Sequence, residues 1–254
     1  MGINASFDQA EAVAAAGADF LLQPVNSFLR PDEPVAEFEK ELRRLDQSPI
    51  PVLTCNLFLM GRPLRTIGPE ARHENVLRFA ETAFERARRA GVERIVFGSS
   101  GSRNRPEGWS KARADAQFIP LLEKMGDLAG EQGVIVAVEN LQKNQCNYLT
   151  RISEVAALIE AVGHTHVRML ADIYHSSHMQ DPPSEFGKYA HLTDMVEIAE
   201  RVDRAAPGFS GQDFSPYFDA LRSAGYSGPI EIEASWEIDQ IARAFELIHE
   251  QSTG

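Results

Sequence analysis

Residues 134–140 read VIVAVEN, an almost continuous apolar run that ends in an acidic residue and an amide residue. A run of this kind is typical of a parallel strand that is buried on both faces. The stretch ERIVF at 93–97 has the same character. Between the two lies a helical pattern over 115–132, and Gly133 follows it. This alternation of strand and helix predicts βα units and a parallel sheet.

The same alternation continues along the whole chain. We predict strands at 3–6, 19–22, 50–56, 92–98, 134–139, 167–172, 195–199 and 229–234, each followed by a helical pattern. The clearest of the other helices lie at 70–90 and 153–162, and one more begins at Pro216 and ends near Gly225. Eight βα units in 254 residues predict an α/β protein, a (β/α)8 TIM barrel with residues 1–254 as a single domain. An open, doubly wound sheet is the structural alternative.

The composition is that of an ordinary globular protein, with 43% hydrophobic and 24% charged residues. A net charge of −12 without basic tracts argues against a nucleic-acid partner. The sequence shows no signal peptide and no apolar stretch of about eighteen residues, which predicts a cytoplasmic protein without a membrane partner. Cys55 and Cys146 are too few and too far apart for a disulfide framework or a thiolate zinc site.

Acidic residues stand at or near the ends of four successive predicted strands. They are Glu139, Asp172, Glu197 and Glu233, from the fifth to the eighth strand. Because the C-terminal ends of neighbouring barrel strands lie side by side, we expect these side chains to converge near the barrel axis. Crowded carboxylates repel one another, so a cluster of this kind normally surrounds a divalent cation or shares a proton.

Several motifs together resemble one known family. The segment LADIYH at 170–175 is similar to an Asp-x-x-His signature, and VENL at 138–141, RAAPG at 204–208 and GYSGPIEIE at 225–233 are further matches. In this order the motifs resemble the sugar phosphate isomerase/epimerase family of xylose isomerase-like TIM barrels. The resemblance covers nearly the whole chain and is strongest in its second half.

The resemblance implies a divalent metal, with Mn²⁺ expected and Mg²⁺ or Co²⁺ as alternatives. Glu197 stands where the family usually has a histidine, because a gapless alignment on the RAAPG motif places Glu197 there rather than His191. An all-oxygen ligand set favours hard ions such as Mn²⁺ or Mg²⁺ over Zn²⁺. Four carboxylates leave excess negative charge around such an ion, so either one acid stays protonated, or a cation such as Arg204 or Lys143 compensates, or metal binding is weakened or lost. The implied metal ligands are Glu139, Asp172, Glu197 and Glu233.

The resemblance also implies an isomerase or epimerase that acts on a small carbohydrate. Glu139 and Glu233 would be the catalytic base and acid, which remove and return a proton next to a carbonyl while the metal stabilises the enediolate. His175 and Arg204 would bind the substrate. Return of the proton to the neighbouring carbon gives isomerisation, and return to the same carbon from the other face gives epimerisation. Members of the family form homo-oligomers, so a dimer or tetramer is expected.

Three other functions stay open at this stage. A lyase or dehydratase that acts on a keto-sugar or an inosose would use the same residues and expel a hydroxyl group. A non-catalytic sugar-binding barrel would result if Glu197 prevents metal binding. A nuclease of the endonuclease IV type is the least favoured, because Gly98 stands near the position of its fourth-strand histidine and the charge of −12 offers no DNA-binding surface.

Overall fold

The computed structural model describes residues 1–253, and its strands form one closed barrel. The strands are β1 Gly2–Asn4, β2 Phe20–Pro24, β3 Val52–Asn56, β4 Arg94–Phe97, β5 Ile135–Glu139, β6 Val167–Asp172, β7 Thr193–Ile198 and β8 Ile230–Ile232. Every neighbouring pair is parallel, and β1 pairs with both β2 and β8. The predicted (β/α)8 TIM barrel is therefore confirmed, and the open sheet is excluded because its edge strands would remain unpaired.

The helices alternate with the strands along the described chain. They are α1 Ala10–Ala15, α2 Val35–Leu45, α3 His73–Ala90, α4 Ser100–Arg103, α5 Lys111–Gln132, α6 Ile152–Val162, α7 Ile173–Met179, α8 Ser184–Lys188, α9 Ser215–Ser223 and α10 Ile241–Thr253. The long helices α3 and α5 end at Gly91 and Gly133, whose φ angles of 72° and 70° close the helix in the left-handed region. The predicted helix 115–132 begins four residues earlier, because the Ser110 side chain accepts a hydrogen bond from Arg113 N and caps α5.

The first strand does not have the predicted bounds 3–6, because β1 spans Gly2–Asn4. Ser6, predicted at the end of the strand, instead precedes the short 3-10 helix Phe7–Gln9, and its backbone N–H donates to Gln9 Oε1 at 3.0 Å. At its other end the strand begins one residue earlier than predicted, at Gly2, which pairs with both Phe20 and Glu231. A side chain at this position would overlap the Phe20 ring, so glycine allows the two strands to pack closely.

The interior of the barrel places the acidic strand ends. A separate cluster of buried residues comes from four consecutive strands, and its members are Val96, Ala137, Leu170 and Met195. Side chains alternate between the two faces of a strand, so the residue two positions later points to the same interior. Those next residues are Gly98, Glu139, Asp172 and Glu197. The barrel therefore stacks a layer with three carboxylates directly above an apolar layer.

Two predictions concern the limits of the chain and its surroundings. The predicted single domain of residues 1–254 includes Gly254, which lies outside the described residues. Within residues 1–253, no helix is both long enough and apolar enough to cross a membrane.

Candidate active site

The four predicted acids converge at the C-terminal end of the barrel. Glu139 ends β5, Asp172 ends β6, Glu197 lies in β7, and Glu233 follows β8 directly. Each offers a carboxylate oxygen, and the four oxygens all lie within 4.8 Å of one another. Glu139, Asp172 and Glu197 are buried, and Glu233 is half-buried. The structure thus brings together the residues that the strand pattern predicts, while their chemical roles remain predictions. His191, the alternative to Glu197, lies outside this cluster.

Glu197 is the member of the cluster with no partner among the described residues. Both of its carboxylate oxygens are buried and accept no hydrogen bond. Burial, together with the nearby carboxylate of Glu233, raises the pKa of Glu197 well above its usual range. A buried carboxylate without a partner is costly unless a cation or a proton satisfies it. Two unpaired oxygens directed at three further carboxylates therefore fit a divalent cation that prefers oxygen ligands.

Arg204 supplies positive charge beside the cluster. Its Nη2 forms an ion pair with Glu233 and lies 4.0 Å from Asp172 Oδ2. Burial by itself lowers the pKa of Arg204, but the carboxylates of Glu233 and Asp172 outweigh it and raise the pKa above its ordinary value. The guanidinium also lies over the Tyr174 ring, 4.8 Å from its centroid. Of the two compensating cations expected from the sequence, Arg204 is at the site, whereas Lys143 is exposed and does not line the pocket.

The loop that carries Arg204 is joined to the loop after β8 by backbone hydrogen bonds. Asp203 and Arg204 both adopt left-handed conformations, with φ angles of 57° and 49°. Ser235 N donates to Arg204 O at 2.8 Å, and Ala206 N donates to Ser235 O at 3.0 Å. The Arg204 guanidinium is therefore held against Glu233 from two neighbouring loops at once.

Glu233 is held by one neutral partner and one cationic partner, Asn56 and Arg204. Asn56, the last residue of β3, donates its Nδ2 hydrogen to Glu233 Oε1 at 2.5 Å across the barrel mouth. Burial raises the pKa of Glu233 to about 7, although the Arg204 charge opposes this rise. A carboxyl group with a pKa near neutrality is suited to exchange protons with a substrate.

His175 connects two of the other carboxylates. Asp172 caps α7, because its Oδ1 accepts a hydrogen bond from His175 N at 2.6 Å. The His175 ring is buried, and its Nε2 lies 3.3 Å from Glu139 Oε1. Burial alone lowers the pKa of His175, but Asp172 and Glu139 together raise it above its ordinary value. The Nδ1 atom of the ring has no partner among the described residues.

Glu139 is positioned by two residues that follow β4. A side chain at Gly98 would overlap Glu139 Oε2, so the absence of a Cβ atom there leaves the space that this carboxylate fills. Arg103 is completely buried, and its guanidinium donates to Glu139 O at 2.6 Å and to Phe97 O at 3.1 Å. Glu139 therefore fills the space beside Gly98.

A pocket with a cavity volume of about 80 Å³ opens above this cluster. Glu139, His175, Arg204 and Glu233 line it, as do the small residues that follow β4, Gly98, Ser99 and Ser100. Sequence reasoning misses five lining residues, which lie at or shortly after the end of a buried strand: Asn56, Leu57, Met60, Leu141 and Gln145.

Comparison with known families identifies the group to which this barrel belongs. The family model described as "Xylose isomerase-like TIM barrel" matches residues 10–251. The chain belongs to the xylose isomerase-like TIM barrel family. The resemblance in the strand-end motifs is therefore confirmed, and this membership covers almost the whole chain.

This xylose isomerase-like barrel is similar to proteins that are named an isomerase and an epimerase. A putative hydroxypyruvate isomerase of Streptomyces coelicolor is 31% identical over 149 residues, which are 56% of this chain and 53% of the relative. The chain thus spans about half the length of this curated relative. A D-psicose 3-epimerase solved in the presence of D-fructose superposes with a TM-score of 0.82 at 17% identity, covering 100% of this chain and 99% of that one. A zinc-bound IOLI protein superposes with a TM-score of 0.73 at 14% identity, covering 98% and 94%.

Proposed function

We propose that the chain is a divalent-metal-dependent isomerase or epimerase of a small carbohydrate. The observation that carries the proposal is the convergence of four carboxylates, one of which, Glu197, presents two buried and unpaired oxygens. This cluster lies at the end of the barrel where enzymes of this fold carry their active sites. The isomerase and epimerase names of the relatives support the same reaction class.

The proposed metal ligands are oxygens from four residues, Glu139, Asp172, Glu197 and Glu233. Because the set contains no imidazole or thiolate, we expect Mn²⁺, with Mg²⁺ or Co²⁺ as alternatives. A zinc-bound relative supports a divalent ion in general. When bound, the ion would polarise a substrate carbonyl and its adjacent hydroxyl, which lowers the cost of removing the proton between them.

The chain's own residues would divide the proton transfer. Glu139 and Glu233 reach the pocket from strands β5 and β8, which are not neighbours in the barrel. One carboxylate would take the proton from the carbon next to the carbonyl, and the electron pair of that C–H bond would form the enediolate double bond. The other carboxyl group would return a proton to one of the two enediolate carbons. The carbon and face that receive it decide between isomerisation and epimerisation.

His175 and Arg204 are proposed to bind the substrate. Both line the pocket beside the two catalytic carboxylates. His175 is fixed by the backbone contact to Asp172 and offers a ring hydrogen to a substrate oxygen. Arg204 is held over Tyr174 and would donate to a substrate hydroxyl. The two side chains would orient the carbonyl end of the sugar between the acid and the base.

The proposal includes the setting of the enzyme. Residues 1–254 would form one catalytic domain, which acts in the cytoplasm as a homodimer or homotetramer. Resemblance to the family supports the oligomer, and light scattering of the purified protein would measure it. The negative charge of −12 supports a small-molecule substrate rather than a nucleic acid.

Isotope exchange tests the proposed reaction. Protein loaded with Mn²⁺ is incubated in D₂O with a panel of ketoses and keto-sugars, and the products are examined by NMR. We expect deuterium at the carbon next to the carbonyl of at least one compound, and no exchange after a chelator has removed the metal. Absence of exchange across a broad panel with metal-loaded protein would reject the proposed function.

A further inference from the structure

Asn140 directly follows Glu139 at the end of β5 and is completely buried. Its side chain neither lines the pocket nor belongs to the carboxylate cluster. A buried side-chain amide is costly unless hydrogen bonds satisfy both its oxygen and its nitrogen. The partners of Asn140 therefore indicate why an amide stands at this position.

The Asn140 amide contacts both backbone groups of one residue, Asp172. Asp172 N donates to Asn140 Oδ1 at 3.0 Å, and Asn140 Nδ2 donates to Asp172 O at 3.3 Å. The same Nδ2 atom donates to Ser176 Oγ of α7 at 3.1 Å. A side-chain amide carries one acceptor group and one donor group, as a peptide does. Asn140 thus holds the backbone of Asp172 in the way that a neighbouring strand would.

Strand pairing between β5 and β6 ends before Asp172. The last paired residues are Glu139 and Leu170, two positions earlier on β6. On its other side, Asp172 is paired with Glu197 of β7. The Asn140 side chain therefore joins the end of β6 to β5 beyond the last paired residues. It does so between two of the proposed metal ligands.

The position of the Asp172 carboxylate depends on this held backbone. Its Oδ1 accepts the hydrogen bond from His175 N that caps α7, at 2.6 Å. Its Oδ2 lies 3.9 Å from His175 Nε2 and 4.0 Å from Arg204 Nη2. Asn140 is covalently next to Glu139 and hydrogen-bonded to Asp172. A shift of the Asp172 backbone away from Asn140 would therefore change the separation of the two carboxylates.

We propose that Asn140 is a positioning residue that sets the separation of the Glu139 and Asp172 carboxylates for a divalent cation. This inference rests on the proposed function, because the cation is the one proposed there. Asn140 acts through the backbone of Asp172 and not as a ligand. Groups that hold metal ligands in place contribute to the affinity of a site for its ion.

A second asparagine, in the loop after β5, provides a matched control. Asn147 Oδ1 accepts a hydrogen bond from Arg105 N at 2.7 Å, and Asn147 Nδ2 donates to Arg105 O at 2.9 Å. Asn147 thus makes the same pair of hydrogen bonds to one backbone, but it is exposed and does not line the pocket. Comparison of Asn140→Leu with Asn147→Leu separates the positioning of carboxylates from the loss of such a pair.

Metal affinity tests the inference without requiring turnover. In titration calorimetry on the metal-stripped full chain, Asn140→Leu is expected to weaken Mn²⁺ binding by about 10–100-fold. Asn147→Leu is expected to keep the wild-type affinity. Because Ca²⁺ accepts flexible oxygen geometry, its affinity for Asn140→Leu should fall less than that of Mn²⁺. If circular dichroism shows that Asn140→Leu does not fold, Asn140→Ser replaces it, because a serine side chain lacks the amide.

Amide hydrogen exchange locates the effect in the backbone. The Asp172 amide proton is expected to exchange faster in Asn140→Leu, because it loses the acceptor that holds it. In Asn147→Leu the Asp172 amide should keep its wild-type rate, and the Arg105 amide should exchange faster instead. An Asp172 amide that exchanges equally fast in the wild type and Asn140→Leu would contradict the proposed contact.

The outcomes separate the role of Asn140 from the proposed function. Unchanged Mn²⁺ affinity in folded Asn140→Leu, an equal loss of Mn²⁺ and Ca²⁺ affinity, or the same loss of Mn²⁺ affinity in Asn147→Leu would each overturn the role of Asn140. If the wild type binds Mn²⁺ and exchanges deuterium into a keto-sugar, such a result rejects that role alone. Absence of divalent-cation binding by the wild type would instead reject the proposed function and, with it, the cation that Asn140 serves.

Discussion

The mouth of the barrel has an acidic half and a neutral half. The acidic half comprises the ends of β5–β8 and carries Glu139, Asp172, Glu197 and Glu233. The neutral half comprises the ends of β3 and β4, with Asn56, Leu57, Gly98 and Ser99. The two halves face each other across one pocket, and among the described residues that line it only those of the acidic half are ionisable. The contrast teaches that the charge of the pocket and the shape of its opposite side come from different strands of the barrel.

The neutral half nevertheless decides where the charges lie. Asn56 donates a hydrogen bond to Glu233, and Gly98 leaves open the space that Glu139 occupies. Arg103, the last residue of α4, donates a hydrogen bond to the backbone carbonyl of Glu139. Substitutions in either half are therefore expected to affect the same reaction. Those in the acidic half act by changing charge, and those in the neutral half act by moving the carboxylates.

Removal of a charge from the acidic half is expected to have the largest effect. Glu233→Gln retains the size of the side chain but cannot exchange a proton, so kcat should fall by about 10²–10⁴-fold. Steady-state kinetics on a substrate found by deuterium exchange would measure the loss. Glu237→Gln, an exposed residue of the same loop, is the control and should keep wild-type turnover. A Glu233→Gln variant that is fully active would rule out its role as acid or base.

Metal affinity tests the role of Glu197, the acidic residue without a hydrogen-bond partner among the described residues. Glu197→Gln replaces a charged ligand with a neutral and weaker one, and Mn²⁺ affinity should fall by at least roughly 10–100-fold, the scale seen when only the partners of metal ligands are altered. Titration calorimetry on metal-stripped protein would give the affinity directly. Glu160→Gln changes an exposed acid on α6 and should have no effect. Unchanged affinity in Glu197→Gln would show that Glu197 is not a ligand.

A methyl group added to the neutral half should also reduce activity. Gly98→Ala places a Cβ atom where Glu139 Oε2 lies, so the carboxylate must move away from the substrate. A displacement of about 1 Å in a catalytic group lowers turnover by roughly 10–100-fold. Gly101→Ala is a close control, because a Cβ atom there meets nothing within 4 Å. Equal kinetics in the two alanine variants would contradict the positioning role of Gly98.

The smallest expected effect is on stability. Arg103→Gln removes two hydrogen bonds from a charged and completely buried donor to backbone carbonyls. We expect the free energy of unfolding to fall by about 1.5 kcal/mol, roughly tenfold in the unfolding equilibrium. Urea denaturation would measure it. The exposed Arg243→Gln, whose ion pairs are on the surface, should change the free energy by less than about 1 kcal/mol. Similar losses in both variants would contradict a special role for Arg103.

Several strands and helices were predictable because their sequences are locally distinct. The apolar run of β5 identifies a strand, and the glycines after α3 and α5 identify the ends of two helices. Each signal lies within a short stretch of sequence. The acids of β5–β8 were also predictable, because each ends or closely follows such a run and the barrel brings consecutive strand ends together. Regularity in the sequence thus determined both the fold and the acidic half.

The neutral half was not predictable for a physical reason. The hydrogen bond between Asn56 and Glu233 joins residues 177 positions apart, and no local pattern encodes it. The left-handed conformation of Leu57 contradicts the ordinary preference of leucine and becomes visible only in the folded turn. The close approach of Glu139 to Gly98 likewise depends on where the Glu139 side chain points.

The backbone hydrogen bonds between the Arg204 and Ser235 loops have a consequence for motion. The amide protons of Ser235 and Ala206 are both donated across this junction. They can exchange with solvent deuterium only when the two loops separate, and the same separation releases the guanidinium from Glu233. The exchange rates of the Ser235 and Ala206 amides would therefore measure how often these two loops at the barrel mouth separate. A bound ligand is expected to slow the exchange of both amides.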